Sequence, residues 1–438
     1  MKKVAFHTLG CKVNQYETEA MEEMFEEAGY ELVEFTKPAD IYIVNTCTVT
    51  NIADKKSRQM LSKARKNNDK AIIVAVGCYA QMAKEKLLND NNIDIVIGSN
   101  NKNKVVELVE KYIHDGTKMN IVEDIGKTTE YENILITKVN DKTRAYIKIQ
   151  DGCNQFCSYC IIPYTRGRIR SREATDIIQE VKNLATKGYH EIVLTGIHIA
   201  SYGKDLVDTT LINLLIELNK IEGIYRIRLG SLEPNLITEQ FIDELSNLTK
   251  ICPHFHLSLQ SGCDTVLKRM NRKYTTDEFF EKVNIIRKTY NSASITTDII
   301  VGFPDETDEE FMETISFVNK IKFANIHVFK YSQRDGTKAA QMPNQIDPSI
   351  KATRSNILGK DKEKLQHNFL KHFVNKEVEV LFEEDIIIDG KRYLYGFTDN
   401  YIRVRINSNK DLKNKLINTK VKSIENGILI VDNLNSNI

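Results

Sequence analysis

The 438-residue chain lacks an excess of charge of either sign: 61 Lys and Arg stand against 60 Asp and Glu, a formal net charge of +1 at pH 7. That excludes a polycation held non-specifically to phosphate backbones, so a nucleic-acid contact has to come from a local patch. It also lacks any apolar run approaching the roughly 20 residues that a membrane helix needs, and Met1-Lys2-Lys3 leads straight into a strand-like segment instead of the apolar core of a signal peptide. A cytoplasmic protein with no membrane or DNA partner is the expectation. Without a secretory signal, its eight cysteines fit metal ligands or reduced core thiols better than a disulfide framework. No internal repeat or low-complexity tract is present. At about 150 residues per domain, the length allows about three domains, each with its own core.

The first hundred residues alternate apolar runs (Val4–Leu9, Ile41–Thr46, Ala71–Val76, Ile93–Ile97) with helical patterns (Glu17–Ala28, Ala53–Arg65, Asn103–Tyr112). That rhythm predicts a doubly wound parallel α/β sheet over residues 1–115, in which ligands gather beyond the carboxyl ends of the strands. Residues 116–142 lose the rhythm and read as a linker. Over 143–370 the alternation returns with a longer period, with strands near Tyr146–Gln150, Glu191–Thr195, Arg226–Gly230, Phe255–Leu259, Ser294–Ile300 and Asn325–Tyr331. Six such units suit a partial or full β/α barrel, whose chemistry sits at the strand carboxyl ends. A long polar helix pattern from about Pro348 leads out, and residues 371–438 carry short strands separated by turn signals, the pattern of a small antiparallel β-barrel.

The cysteines fall into two groups and two spares. Cys153, Cys157 and Cys160 follow the first barrel strand with C-x3-C-x2-C spacing. Three thiolates on a four-iron cubane leave one iron open to bind something else. A zinc site would want a fourth protein ligand, and the next histidine, His190, is thirty residues beyond Cys160. Cys11, Cys47 and Cys78 are far apart but each directly follows an apolar strand, so a parallel sheet brings all three out at one edge, where they could converge on a second cluster. Cys252 and Cys263 flank the fourth barrel strand and read as reduced structural thiols.

The Cys153–Cys160 motif resembles that of the radical S-adenosylmethionine superfamily. The resemblance implies that the open iron chelates the cofactor's methionyl group, that reductive cleavage releases a 5′-deoxyadenosyl radical, and that Tyr159 packs against adenine. Over essentially the whole chain, the order of an N-terminal three-cysteine domain, a radical barrel and a small β domain resembles the methylthiotransferases, whose last domain is the RNA-binding TRAM barrel. Leu9-Gly10-Cys11-Lys12-Val13-Asn14, Asn45-Thr46-Cys47 and Gly77-Cys78-Tyr79 look most like the branch acting on N6-threonylcarbamoyladenosine in tRNA, since the isopentenyladenosine branch usually has Gln-Met-Asn after the first cysteine and the ribosomal-protein branch Pro-Lys-Asn.

The implied function is methylthiolation of C-2 of that nucleoside at position 37 of tRNA, using two [4Fe–4S] clusters, S-adenosyl-L-methionine and a small electron-donor protein. Alternatives are methylthiolation of a ribosomal-protein aspartate or of isopentenyladenosine and, from another class, a non-catalytic iron–sulfur RNA-binding sensor.

Other strand ends supply candidate cofactor contacts: Gly196, and more weakly His198, after the second barrel strand; Glu233 after the third; Gln260 after the fourth; Ile300 in the fifth. Glu233 could instead cap a helix or pair with Arg269. Arg166, Arg168, Arg170 and Arg172 occupy alternate positions, so an extended strand would aim all four at one side. Such a strip could grip the cofactor's carboxylate or the RNA backbone; the bland alternative is a solvated charged strand. In the last segment Lys391, Arg392, Tyr393, Tyr395, Phe397, Tyr401, Arg403 and Arg405 interleave basic and aromatic groups as RNA-binding barrels do.

Overall fold

The computed structural model describes residues 1–137, 143–388 and 390–432. At the amino terminus, strands β1 (Lys3–Thr8), β2 (Glu31–Val33), β3 (Ile41–Thr46), β4 (Ile72–Gly77), β5 (Ile95–Ile97) and β6 (Met119–Ile121) form one parallel sheet in the order β2-β1-β3-β4-β5-β6. The strands are apolar on both faces because helices cover both. Alternate residues Val4, Ile41 and Ile43 meet Met21 and Phe25 of helix α1 (Lys12–Glu27), while Ala5, Tyr42 and Val44 meet Leu61 and Ala64 of helix α2 (Asn51–Asn67). Strand β6 lies inside the range expected to be linker, and Ile134 and Ile136 are buried in the core of the next domain. That range is therefore built into both neighbours; its residues 138–142 lie outside those described.

The central domain has six parallel strands: β7 (Arg144–Asp151), β9 (Glu191–Gly196), β10 (Arg226–Leu229), β11 (His254–His256), β12 (Ser294–Val301) and β13 (Asn325–Lys330). Single bridges, Ile227 to Ile251 and Leu232 to Leu257, join the β7–β9–β10 and β11–β12–β13 ladders. The short β8 (Arg170–Ser171) runs antiparallel on the outer side of β7, so of the two barrel forms expected the partial one is realised among the described residues.

Helix Pro348–Lys371, opened by the Asp347 cap and Pro348 in its first turn, leads to the last domain. There β14 (Glu377–Ile388), β15 (Lys391–Thr398), β16 (Arg403–Asn407), β17 (Leu416–Glu425) and β18 (Ile428–Val431) close a barrel in the order β14-β15-β16-β18-β17. All ladders are antiparallel except β16–β18. This barrel is fastened under the amino-terminal ends of the central strands. Arg228 donates to the carbonyl of Asp399 at 2.7 Å, Arg226 to that of Glu379 at 2.8 Å, and Arg144 to Glu383 at 2.9 Å. No described helix is long and apolar enough to cross a membrane.

Candidate active site: two cysteine triads and a cavity lined by three domains

The parallel register that aligns Thr8 with Asn45 and Thr46 with Gly77 puts the ends of β1, β3 and β4 side by side. Cys11 caps α1, Cys47 follows β3, and Cys78 opens helix α3 (Cys78–Met82), so the three thiols meet at one sheet edge as expected. Gly10, at φ +103°, is required there, because a Cβ would lie 2.9 Å from the Cys47 sulfur. Asn14 ties the loops together, donating to the carbonyls of Leu9 at 2.7 Å and Thr46 at 3.0 Å. Burial pushes the Cys47 thiol up to about 11, and the Cys78 and Cys11 thiols add to the rise.

Cys153, Cys157 and Cys160 lie on the loop between β7 and the short helix Ile162–Arg166. Gly152, at φ +70°, lets the loop cross the carbonyl of Arg168, which a Cβ would meet at 1.8 Å. Burial raises Cys153 to about 11 and Cys160 to about 12, with neighbouring thiols contributing. Thiols held close, most of them out of water and three of the six served by a hydrogen-bond donor, suit metal ligation, which takes the thiolate and relieves that penalty. The donors are Arg166 Nε to Cys78 Sγ at 3.2 Å, Arg272 Nη1 to Cys157 Sγ at 3.3 Å, and the Gln155 amide to Cys153 Sγ at 3.4 Å. Cys252 and Cys263 are buried elsewhere.

Around the second triad, Glu233 accepts two bonds from Arg272 Nη2, at 2.9 and 2.8 Å, and lies 3.5 Å from His198 Nε2. Arg272, not Arg269, is its partner; Arg269 instead forks onto Glu310. Arg272 is the main residue missed from sequence, since nothing in Asn271-Arg272-Lys273 separates it from a surface cation. Gln260, at φ +73°, accepts from the Ile300 amide at 2.9 Å, and Ile300 and Tyr159 pack on the same small cluster with Phe303 and Tyr331. Gly196 ends β9, close under the carbonyl of Gln150.

The arginine strip does not exist as expected. Arg166 ends a helix, Gly167 turns the chain at φ +72°, and only Arg170 of the four lies in a strand. Arg166, Arg170 and Arg172 are 0%, 2% and 1% exposed. Arg166 is bound by Glu17 and Asp151, Arg172 by Glu180, and Arg170 by the carbonyls of Arg166 and Arg168. Only Arg168 is exposed, over the Phe156 ring at 4.6 Å. In the terminal barrel, Phe397 and Tyr401 stack at 4.7 Å against Arg144 and Arg228 of the central domain, and Arg392, Arg403 and Arg405 are each paired with an acid at the surface.

All three domains line one cavity of about 690 Å³. Cys11 and Lys12 enter from the first domain, Gly196 and Gly230 from strand ends of the second, and Phe397 and Tyr401 from the third. Inside, His256, Asp298 and His327 bring ligand-type atoms within 4.8 Å of one another. His256 ends β11, whereas Asp298 and His327 lie within β12 and β13.

Residues 3–98 match the model of the uncharacterized protein family UPF0004, and residues 147–318 match the Radical SAM superfamily, which implies a [4Fe–4S] cluster and S-adenosylmethionine. The chain is 43% identical to the threonylcarbamoyladenosine tRNA methylthiotransferase MtaB of Bacillus subtilis (strain 168), over 96% of this chain and 94% of that one. It is 38% identical to the tRNA-2-methylthio-N(6)-dimethylallyladenosine synthase of Thermoanaerobacter sp. (strain X514), over 96% and 90%. Among solved structures, the radical S-adenosylmethionine methyltransferase TsrM of Kitasatospora setae shares the fold, with a TM-score of 0.57 and 15% identity over 75% of this chain and 73% of that one. With such identity along nearly the full length of its curated relatives, the chain belongs to the radical S-adenosylmethionine methylthiotransferase family.

Proposed function

We propose that this protein methylthiolates C-2 of N6-threonylcarbamoyladenosine at position 37 of tRNA, in the cytoplasm, drawing electrons from a small donor protein. One juxtaposition carries the reading: Cys11 of the first triad lines the same cavity as the strand ends Gly196 and Gly230 of the radical barrel. The choice of nucleoside rests on the 43% identical relative named for that substrate.

Cys153, Cys157 and Cys160 hold one [4Fe–4S] cluster, and Cys11, Cys47 and Cys78 hold a second. When bound, the two clusters and S-adenosylmethionine supply the radical that opens the inert C–H bond and the sulfur and methyl that replace its hydrogen. The chain's own part is binding, orientation and exclusion of water. Tyr159, Gly196, Glu233, Gln260 and Ile300 form the cofactor subsite, with Arg272 fixing Glu233 by two bonds from Nη2. The walls that the three domains give this cavity would limit the access of water to a reactive intermediate. Arg168 and the outer face of the terminal barrel remain to meet the tRNA, while the buried Arg166, Arg170 and Arg172 brace the site.

Nucleoside analysis of tRNA from a strain lacking the protein tests this. The 2-methylthio derivative of threonylcarbamoyladenosine should vanish and its precursor accumulate, with recovery on complementation; an unchanged level overturns the reading.

A further inference from the structure

The residue after Cys11 carries a charge with no counterpart. Lys12, the first residue of α1, lines the cavity, with its ammonium 5.7 Å from the Tyr146 ring centre and 6.0 Å from that of Tyr401. Among the described residues it makes no ion pair and no hydrogen bond. The acid whose charge acts on it, Glu191, is held by Arg228 at 2.8 Å, and the acid lining the cavity, Asp298, lies 3.3 Å from His256. The other cation lining the cavity, Arg403, pairs with Glu384 at 3.1 Å. Lys12 is partly buried, and aromatic faces recover only about 1 kcal/mol for such an ammonium.

A ligand bearing a carboxylate would supply the missing partner. The relatives are named for two modified adenosines. The threonylcarbamoyl group ends in a carboxylate, whereas the dimethylallyl group is a bare hydrocarbon that would leave the ammonium unpaired. Resting on the function proposed above, we propose that Lys12 is the subsite for the threonyl carboxylate of the substrate nucleoside and selects it over neutral N6 substituents. A cavity of about 690 Å³ has room for a modified nucleoside, and the cation lies one residue from Cys11.

The test compares two anticodon stem-loop RNAs, one carrying N6-threonylcarbamoyladenosine and one carrying the same nucleoside with its carboxylate converted to the primary amide. The reconstituted holoprotein should methylthiolate the carboxylate RNA with a kcat/KM about tenfold or more above that of the amide RNA, the scale of one charge-assisted hydrogen bond. In Lys12→Gln the ratio should fall to near one, chiefly through KM, and Lys12→Arg should restore the preference. A ratio is blind to general loss of activity, so a merely structural role for Lys12 would leave it unchanged. Equal use of both RNAs by the wild type overturns the proposal without any variant, as does a wild-type ratio in Lys12→Gln. Failure of the wild type to act on either RNA overturns the proposed function itself, and this inference with it.

Discussion

Arg166 donates from Nε to the sulfur of Cys78 at 3.2 Å and from Nη1 to Asp151 at 3.1 Å, two residues ahead of Cys153. One fully buried side chain thus touches both cysteine-bearing segments. Around it, Glu17 of α1 accepts from Arg166 at 2.5 Å and from Lys148 at 2.8 Å, with Lys102 at 3.5 Å, and Asp151 accepts from Lys148 at 2.7 Å. The network spans the boundary between the first and second domains and fixes the triads relative to each other.

Replacing Arg166 should therefore damage two properties at once. Arg166→Met leaves Glu17 and Asp151 buried with one cation fewer, a loss of about 3–5 kcal/mol for a broken buried pair, and removes the donor to Cys78. The expected result is a lower melting temperature together with reduced iron in the first triad, read by thermal scanning and iron assay of the same preparation. Arg166→Lys, which keeps the charge but not the fork, should fall between.

Iron and acid-labile sulfide measured under anaerobic conditions test the proposal of two clusters. Cys11→Ala and Cys157→Ala should each lose about half the iron, the share of one cubane in two. Cys11→Ala should still cleave S-adenosylmethionine to 5′-deoxyadenosine without forming methylthiolated product, whereas Cys157→Ala should do neither. Full iron in Cys11→Ala would remove the second cluster from the account.

Acid should loosen the domain boundary through Glu17. Burial alone would raise its pKa, but Arg166, Lys102 and Lys148 outweigh burial and hold it at about 2, against an ordinary 4.5. A carboxylate with a depressed folded-state pKa contributes stability that is complete above its unfolded value and fades as pH falls from about 4.5 to about 2. The loss amounts to about 3 kcal/mol. In the iron-free chain, the urea midpoint should fall steeply across that window, and Glu17→Gln should lower the midpoint at pH 6 and flatten the slope below pH 4.5.

Glu233 gives a separate test of the proposed cofactor subsite. Arg272 and His198 help hold its pKa below the ordinary carboxylate value against burial, which keeps it an acceptor at neutral pH. Glu233→Gln should raise the KM for S-adenosylmethionine in 5′-deoxyadenosine formation by about tenfold, as expected for one charged hydrogen bond, with iron content unchanged. An unaltered KM would move the cofactor's contact elsewhere.

The triads were legible in the sequence because a parallel sheet converts three remote positions into neighbours by topology alone: Cys11, Cys47 and Cys78 each follow a strand, and every strand ends at the same edge. The arginines were not legible. Alternation implies one face only in an extended strand, and Gly167 breaks it; the acids that neutralise Arg166 come from Glu17, far upstream, and from Asp151 across the loop. The same limit hid Arg272, three residues from Arg269, one of the alternative partners that the sequence offers Glu233. Local spacing predicts where backbone goes, whereas burial of a charge depends on residues the chain brings from a distance.

The Phe397–Tyr401 stack and Ile402 line the cavity from beneath the central strands. The small β-barrel thus floors the cavity that the first two domains also line. Shortening the chain before residue 371 would trade a sheltered chamber for an open-bottomed funnel, so radical formation would run to waste in solvent even where tRNA still found the enzyme.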